Sequence, residues 1–288
     1  MHRKVILSAD SPCDLGEELR QRYDVHFFPF HILLGETSYI DSVDITPDDL
    51  YRAWRERKLL PKTSAITPME YVEYFKDWVD AGYEIVHVNI GSALSSAYQN
   101  CVAASKELGG HVYPVDSCNL STGIGLLVLY AGEMIRHGAE ALEIQRRLIE
   151  LVPHSHASFV LDTLEFMRAG GRCSAVAAFG ANLLNLKPCI HVANDKNGAM
   201  SVGKKYRGPM EKVLHTYTLD KLAGRDDLVP DHVFITHSGV PQEWIDGVRG
   251  TIEELKIFEE IHVTRASCTI SSHCGPGTLG VLFMTKEQ

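Results

Sequence analysis

Three short stretches carry the groups that could do chemistry. In VNIGSALSSAYQN, residues 88–100, a Val/Ile strand pattern empties into a loop holding Gly91, Ser92, Ser95 and Ser96, and a helix pattern begins at once. In PKTSAITP, residues 61–68, Thr63 and Ser64 stand just ahead of another helix start. In SSHCGPGTLG, residues 271–280, His273 precedes a tight loop set by Gly275, Pro276, Gly277 and Gly280. The shared chemistry is anion holding. A helix N-terminus presents unpaired N–H groups and about half a positive charge, so it attracts carboxylate or phosphate. Hydroxyls beside it add donors, Gly91 admits close approach of backbone, and a neutral His273 can donate to the same anion. Each stretch also has a structural explanation. Ser95 or Ser96 can cap the helix that follows, whereas Thr67 is the natural cap of the other one and leaves Thr63 and Ser64 over.

AGGRCS gives Arg172 a flexible approach, and its guanidinium is the natural fork for carboxylate or phosphate; a surface or domain-interface arginine is the plainer alternative. Adjacent His273 and Cys274 suggest a nucleophile and its base, but neighbours on an extended chain point to opposite sides. Fourteen histidines, with HSH at 154–156, invite a metal site. No H-E-x-x-H occurs and no carboxylate cluster joins them, so no metal is expected. A G-x-S-x-G elbow, a Walker A loop and a G-x-G-x-x-G fingerprint are missing too. The chain thus offers anion-holding parts without an evident catalytic set. The alternative is a stand-alone enzyme, a phosphoryl transferase or esterase, using Ser95 or His273.

The elements that must position these groups alternate. KVILSAD (4–10) reads as a buried strand, and SPCDLGEELRQRY as a helix capped by Ser11 with Pro12 and Asp14 in its first turn. VHFFPFHILL is extended and broken by Pro29. Thr46, Pro47 and Asp49 start one helix; Thr67, Pro68 and Glu70 start another in a capping-box pattern. Tyr71, Phe75 and Trp78 share a face of the latter, and Gly82 ends it. Strands follow at 84–90 and 111–117, with helices over 96–108, 121–136 and 140–151. Such alternation predicts a mainly parallel sheet flanked by helices. Loops 8–13, 90–96 and 115–122 then fall beyond the carboxyl ends of strands, where ligands collect.

A different register begins at 155–165. A small-residue helix is expected after Gly170–Gly171, then strands at 187–193, 199–206, 232–238, 258–265 and 280–285 and helices at 209–223 and 241–255. NDKNGAM reads as a hairpin turn, so two of these strands are antiparallel. The predicted fold is α/β in two domains: an N-terminal α/β domain, 1–152, and a C-terminal α+β domain, 153–288.

The totals exclude whole classes. With 288 residues, 45% hydrophobic and 23% charged, the chain can bury a large core and is not disordered. Net charge is −9, from 28 basic against 37 acidic residues, which disfavours nucleic acid as partner. No apolar run approaches the roughly 18 residues of a membrane span, and the start lacks a secretory signal's apolar region. Seven scattered cysteines without a C-x-x-C pair read as reduced thiols, and a cytoplasmic protein is expected.

The motifs together resemble those of the DegV family of bacterial lipid-binding proteins, which includes the fatty-acid-binding B subunit of fatty acid kinase. The matching stretches are SADSPCDL, TSAITP, IGSALSSAYQNC, VDSCNLSTGIG, LEFMRAGGRCS, LKP at 186–188 and HCGPGTLG, in this order over nearly the whole chain. Thr63, Ser95, Arg172 and His273 match the pattern, while Ala65–Ile66 and Ser96–Ala97 depart from it. The resemblance implies a long-chain fatty acid, about C14–C18, in a tunnel between two α/β domains, its tail contributing roughly 0.8 kcal/mol per buried methylene. It implies a carboxylate held by Thr63, Ser64, Ser95, Ser96, His273 and Gly275, with Arg172 at the mouth. Phe27, Phe28 and Ile32 are expected in the tunnel lining. It further implies a non-catalytic subunit without cofactor, which presents the acid to an ATP-dependent kinase partner for acyl-phosphate formation.

Overall fold

The computed structural model describes residues 4–177 and 186–287. The first half runs β1 (Val5–Asp10), α1 (Glu17–Arg22), β2 (Val25–Phe28), β3 (His31–Leu34), β4 (Thr37–Ile40), α2 (Pro47–Arg57), β5 (Lys62–Ser64), α3 (Pro68–Asp80), β6 (Glu84–Asn89), α4 (Ala97–Glu107), β7 (Val112–Asp116), α5 (Thr122–Arg136) and α6 (Ala141–Leu151). The second half runs β8 (Ser155–Val160), α7 (Glu165–Gly170), α8 (Ser174–Ala177), β9 (Leu186–Ala193), β10 (Ala199–Arg207), α9 (Met210–Leu222), β11 (Leu228–His237), α10 (Gln242–Leu255), β12 (Glu260–Arg265), α11 (Cys268–Cys274) and β13 (Leu279–Thr285).

Among the described residues, three sheets form. A parallel four-stranded sheet has the order β2-β1-β6-β7, a mixed six-stranded sheet β10-β9-β8-β13-β11-β12, and a small antiparallel sheet β4-β3-β5. In the mixed sheet β11 and β12 run parallel, and the other described pairs run antiparallel. The mainly parallel sheet and the mixed second half were both legible in the strand–helix pattern. Pro29 does break the extended segment, but β3 leaves the parallel sheet and joins the small one.

Capping explains where two helices start. Thr46 and Thr67 each accept the backbone N–H three residues on, and Asp49 and Glu70 return the bond to the cap amide. The expected first helix is different. Residues Ser11–Cys13 form a single 3-10 turn, Asp14 takes a left-handed φ of 56°, and α1 starts only after Gly16. Ser11 does not cap because its hydroxyl donates to Asp41 instead, 2.9 Å away. Most of the small-residue helix expected after Gly171 falls on 178–185, outside the described residues.

α5 is apolar almost all round and buried along most of its length. Such a helix has no water-facing side. It packs against β1 and β6 on one side and β8 and β13 on the other, so one apolar core runs through both large sheets. Among the described residues, no helix is long and apolar enough to cross a membrane.

Candidate functional site

The hydroxyl-rich loops converge on a cavity of about 140 Å³, room for on the order of ten waters. Thr63, Ser64, Ser95, Ser96, Arg172 and His273 line its polar side; Phe30, Leu94, Leu120, Met167 and Ile270 are part of its apolar wall. Leu120, Ile270 and Cys274 also border a second pocket of about 20 Å³ that continues toward Phe159 and Leu282. The polar groups therefore sit at one end of a longer, mostly apolar crevice.

His273 lies in the last turn of α11, and its Nε2 stands 2.9 Å from Thr63 Oγ1. Thr63 is held by β5, where it pairs with Ile32 of β3. The other ring nitrogen, Nδ1, is buried without a hydrogen-bond partner among the described residues. It presses on Gly170, where a Cβ would overlap it. Burial first, and the positive charge of Arg172 second, push the imidazole down to about 4, so the ring is neutral near neutral pH. A neutral ring can donate through Nε2 to Thr63, which frees the threonine hydroxyl to donate onward into the cavity. Arg172 is exposed and donates from Nη1 to the Gly170 carbonyl at 2.8 Å.

Two buried aspartates from the first half fix α11. Asp41 accepts from the amides of Cys268 and Thr269 at 2.8 and 3.2 Å and from Thr269 Oγ1 at 2.6 Å. Asp14 accepts from the Ser267 amide at 2.8 Å and from Ser121 Oγ at 2.5 Å. Carboxylates at a helix N-terminus satisfy free N–H groups and oppose its partial positive charge. Burial nevertheless lifts the Asp14 carboxyl to about 7, against the hydrogen bonds of Ser121 and Ser267.

The serine loop hangs from a third buried aspartate. Asp10, at the end of β1, accepts from the Ile90 amide at 2.8 Å, from Tyr71 Oη at 2.7 Å and from Asn89 Nδ2 at 3.3 Å, with His87 Nε2 at 2.9 Å. Gly91 is needed for close approach: a Cβ there would stand 2.8 Å from the Asn197 carbonyl oxygen. Ser95 Oγ accepts from the Ala97 amide at 3.2 Å, which leaves its own proton to donate. Ser96 occupies the cap position without a capping bond and takes a long 3.4 Å contact from Asn100 Nδ2. Capping thus accounts for only part of the serine cluster.

Several expectations change. Phe27, Phe28 and Ile32 do not line the cavity; Phe30 does. Phe28 packs on Tyr71 and Tyr74, Phe27 lies under Arg20, and Ile32 is buried beside α2. Gly275 ends α11 at φ 73°, where a Cβ would meet Phe166 at 2.8 Å, and its carbonyl accepts from Ser238. It shapes the turn behind His273 rather than facing the cavity. His273 and Cys274 are helical, not extended, and burial pushes the Cys274 thiol up to about 12, far from a nucleophilic thiolate. His273 bonds Thr63, and Ser95 Oγ accepts from the Ala97 amide; no hydrogen bond joins the two residues. Asp10, Asp14 and Asp41 were not singled out as supports of the site. Asp10 carried one available signal, an acid at the end of an apolar strand run.

Three comparisons bear on this geometry. The family model described as "Uncharacterised protein, DegV family" matches residues 4–286. A DegV domain-containing protein of Clostridium acetobutylicum is 29% identical over 285 residues, covering 98% of this chain and 99% of that one. Among solved structures, a fatty-acid-binding DegV family protein from Thermus thermophilus superposes with a TM-score of 0.87 at 28% identity, over 98% of this chain and 99% of that chain. A protein from Thermotoga maritima whose structure revealed a fatty acid binding function superposes at 0.81 with 25% identity, over 99% of this chain and 100% of that chain.

Proposed function

This chain belongs to the DegV family, and from that premise we propose that it binds a long-chain fatty acid between an N-terminal domain, 1–152, and a C-terminal domain, 153–288. The observation that carries the reading is the placement of Thr63, Ser95 and a half-satisfied neutral His273 at one end of a largely apolar crevice. The head group would sit there, with Thr63 and Ser95 donating and the Ser64 and Ser96 hydroxyls on the same rim. The tail would run past Leu120 and Ile270 toward Phe159 and Leu282. The fatty acid binding of the Thermus and Thermotoga proteins supports the same ligand class.

Physical magnitudes divide the work. Burying about 14 methylenes at roughly 0.8 kcal/mol each gives on the order of 11 kcal/mol. Association takes several kcal/mol of this, and a carboxylate without donors would take several more. The tail supplies affinity; the polar cluster cancels a penalty and sets direction. Arg172, exposed beside the cavity, would meet an ATP-dependent kinase subunit that phosphorylates the bound acid, this chain itself remaining a carrier.

Native mass spectrometry of the purified protein, followed by denaturation and lipid identification, tests the reading. One C14–C18 acid per chain is expected, on the order of what a tunnel burying about 14 methylenes selects. A bare mass that stays unchanged after incubation with oleate or palmitate would overturn it and favour an enzyme. Turnover of ATP or an ester by this chain alone, lost in His273→Ala, would point the same way.

A further inference from the structure

We infer that this protein carries a divalent transition-metal site, remote from the cavity, made by His232, Glu260 and His262. The three residues sit on the same face of two adjacent parallel strands: His232 of β11 pairs in register with Glu260 of β12, and His262 follows two residues on. Their ligating atoms all lie within 4.8 Å of one another. His232 Nδ1 and His262 Nε2 face each other at 3.2 Å, and Glu260 Oε2 is 3.6 Å from that same Nε2.

These spacings suit an ion. Two ligands about 2.0–2.1 Å from a tetrahedral centre stand about 3.3–3.4 Å apart, so the two imidazole nitrogens, 3.2 Å apart, need little rearrangement to seat one, while the carboxylate must turn in. A tautomer shift in one ring turns both lone pairs inward. Two imidazoles and a carboxylate are the donor set of zinc and its neighbours rather than of calcium or magnesium. The fourth position is left to water. His262 is further fixed by stacking on Phe234, with ring centroids 4.7 Å apart and planes 30° apart. The side chain of Glu260 is 41% exposed, which leaves an entry path.

One group competes. Arg22 of α1 holds Glu260 through Nη1, at 3.1 and 3.3 Å to its two oxygens. Metal capture would take the carboxylate from this arginine and so loosen a contact between the first and second halves of the chain. The site is independent of the fatty acid reading and stands or falls separately from it.

Calorimetric titration of chelator-stripped full-length protein with ZnCl2 tests the inference, with fatty acid occupancy held fixed. One ion per chain is expected, weakened by about tenfold or more in the His232→Ala/His262→Ala double variant. Arg22→Gln should tighten binding severalfold by releasing Glu260. His154→Ala, in the turn before β8 and outside this cluster, should change nothing. Should the double variant misfold by circular dichroism, Glu260→Gln and Arg22→Gln carry the test, the first weakening and the second strengthening zinc uptake. No zinc uptake by the parent protein, uptake indifferent to these substitutions, or weaker binding in Arg22→Gln would each overturn it.

Discussion

Two histidines, the buried His87 and the half-buried His273, stand beside the same group of loops and are treated in opposite ways. The His87 ring has both nitrogens engaged, Nδ1 with Ser8 Oγ and Nε2 with Asp10 Oδ1, each at 2.9 Å. Tyr71, Asn89 and the Ile90 amide complete the shell around Asp10, and the whole group is removed from water. His273 has one nitrogen on Thr63 and the other buried without a partner among the described residues. A ring bonded at both nitrogens helps hold a loop in one place; a ring bonded at one keeps bonding capacity beside a cavity. The difference separates scaffold from site more sharply than residue type does, since both are histidines near hydroxyls.

The largest effect should come from breaking the network around Asp10. Asp10→Ala strips the acceptor from His87, Tyr71 and the Ile90 amide at once, and breaking such a buried arrangement costs about 3–5 kcal/mol. Urea unfolding followed by circular dichroism should show that loss as a lower midpoint. A loss below about 1 kcal/mol would mean the shell is held by packing alone, and the distinction from His273 would collapse.

Next is acid sensitivity. The folded-state ring of His273 titrates near 4, by burial and then by Arg172, against roughly 6.5 in an unfolded chain. Between those values the unfolded chain takes up a proton that the folded one refuses. Stability therefore falls as pH drops from about 6.5 to 4, by about 3 kcal/mol from this ring, and is fully present above that window. His156, His237 and His262 are also pushed down to about 4, so they share the acid limb. The informative quantity is the difference between parent and His273→Gln: the variant should show a shallower limb. Superimposable curves would mean His273 is not desolvated as its surroundings imply.

A third effect is read in binding. Thr63→Ala with Ser95→Ala removes both hydroxyls proposed for the carboxylate and should weaken fatty acid binding by roughly 1–3 kcal/mol. Fluorescent fatty acid displacement measures it, and unchanged affinity would place the head group elsewhere.

How much of this contrast was legible beforehand follows from the range of the forces. Local signals were read correctly where the physics is local: Thr46 and Thr67 cap their helices through bonds three residues long. Thr63 and Ser64 were identified as hydroxyls left over from capping, and they do line the cavity. Ser11 was misread as a cap because its true partner, Asp41, is 30 residues away. Likewise α11 was hidden. Ser267 offers a local cap, but the helix start also depends on Asp14 and Asp41, more than 200 residues earlier, and an isolated seven-residue helix has little stability of its own. Phe30 rather than Phe28 reaches the cavity because the chain leaves the parallel sheet at Pro29, a change that no period-2 pattern records.

Arg172→Ala should have the smallest effect, and its size locates the head group. The guanidinium is exposed and already bonded to the Gly170 carbonyl. A charge in water attracts a carboxylate weakly at any distance beyond contact, and salt screens it over about 8 Å. If the carboxylate rests on Thr63 and Ser95, removing Arg172 should change the fatty acid Kd by less than about threefold, and less still at high salt. The same substitution takes away the second influence on His273, so the acid limb of the stability curve should keep its onset near 6.5 but end at slightly higher pH and be slightly shallower. A tenfold loss of affinity, insensitive to salt, would instead show the guanidinium in direct contact with the carboxylate. The head group would then lie at the rim, and His273 with its free Nδ1 would belong to the scaffold, as His87 does.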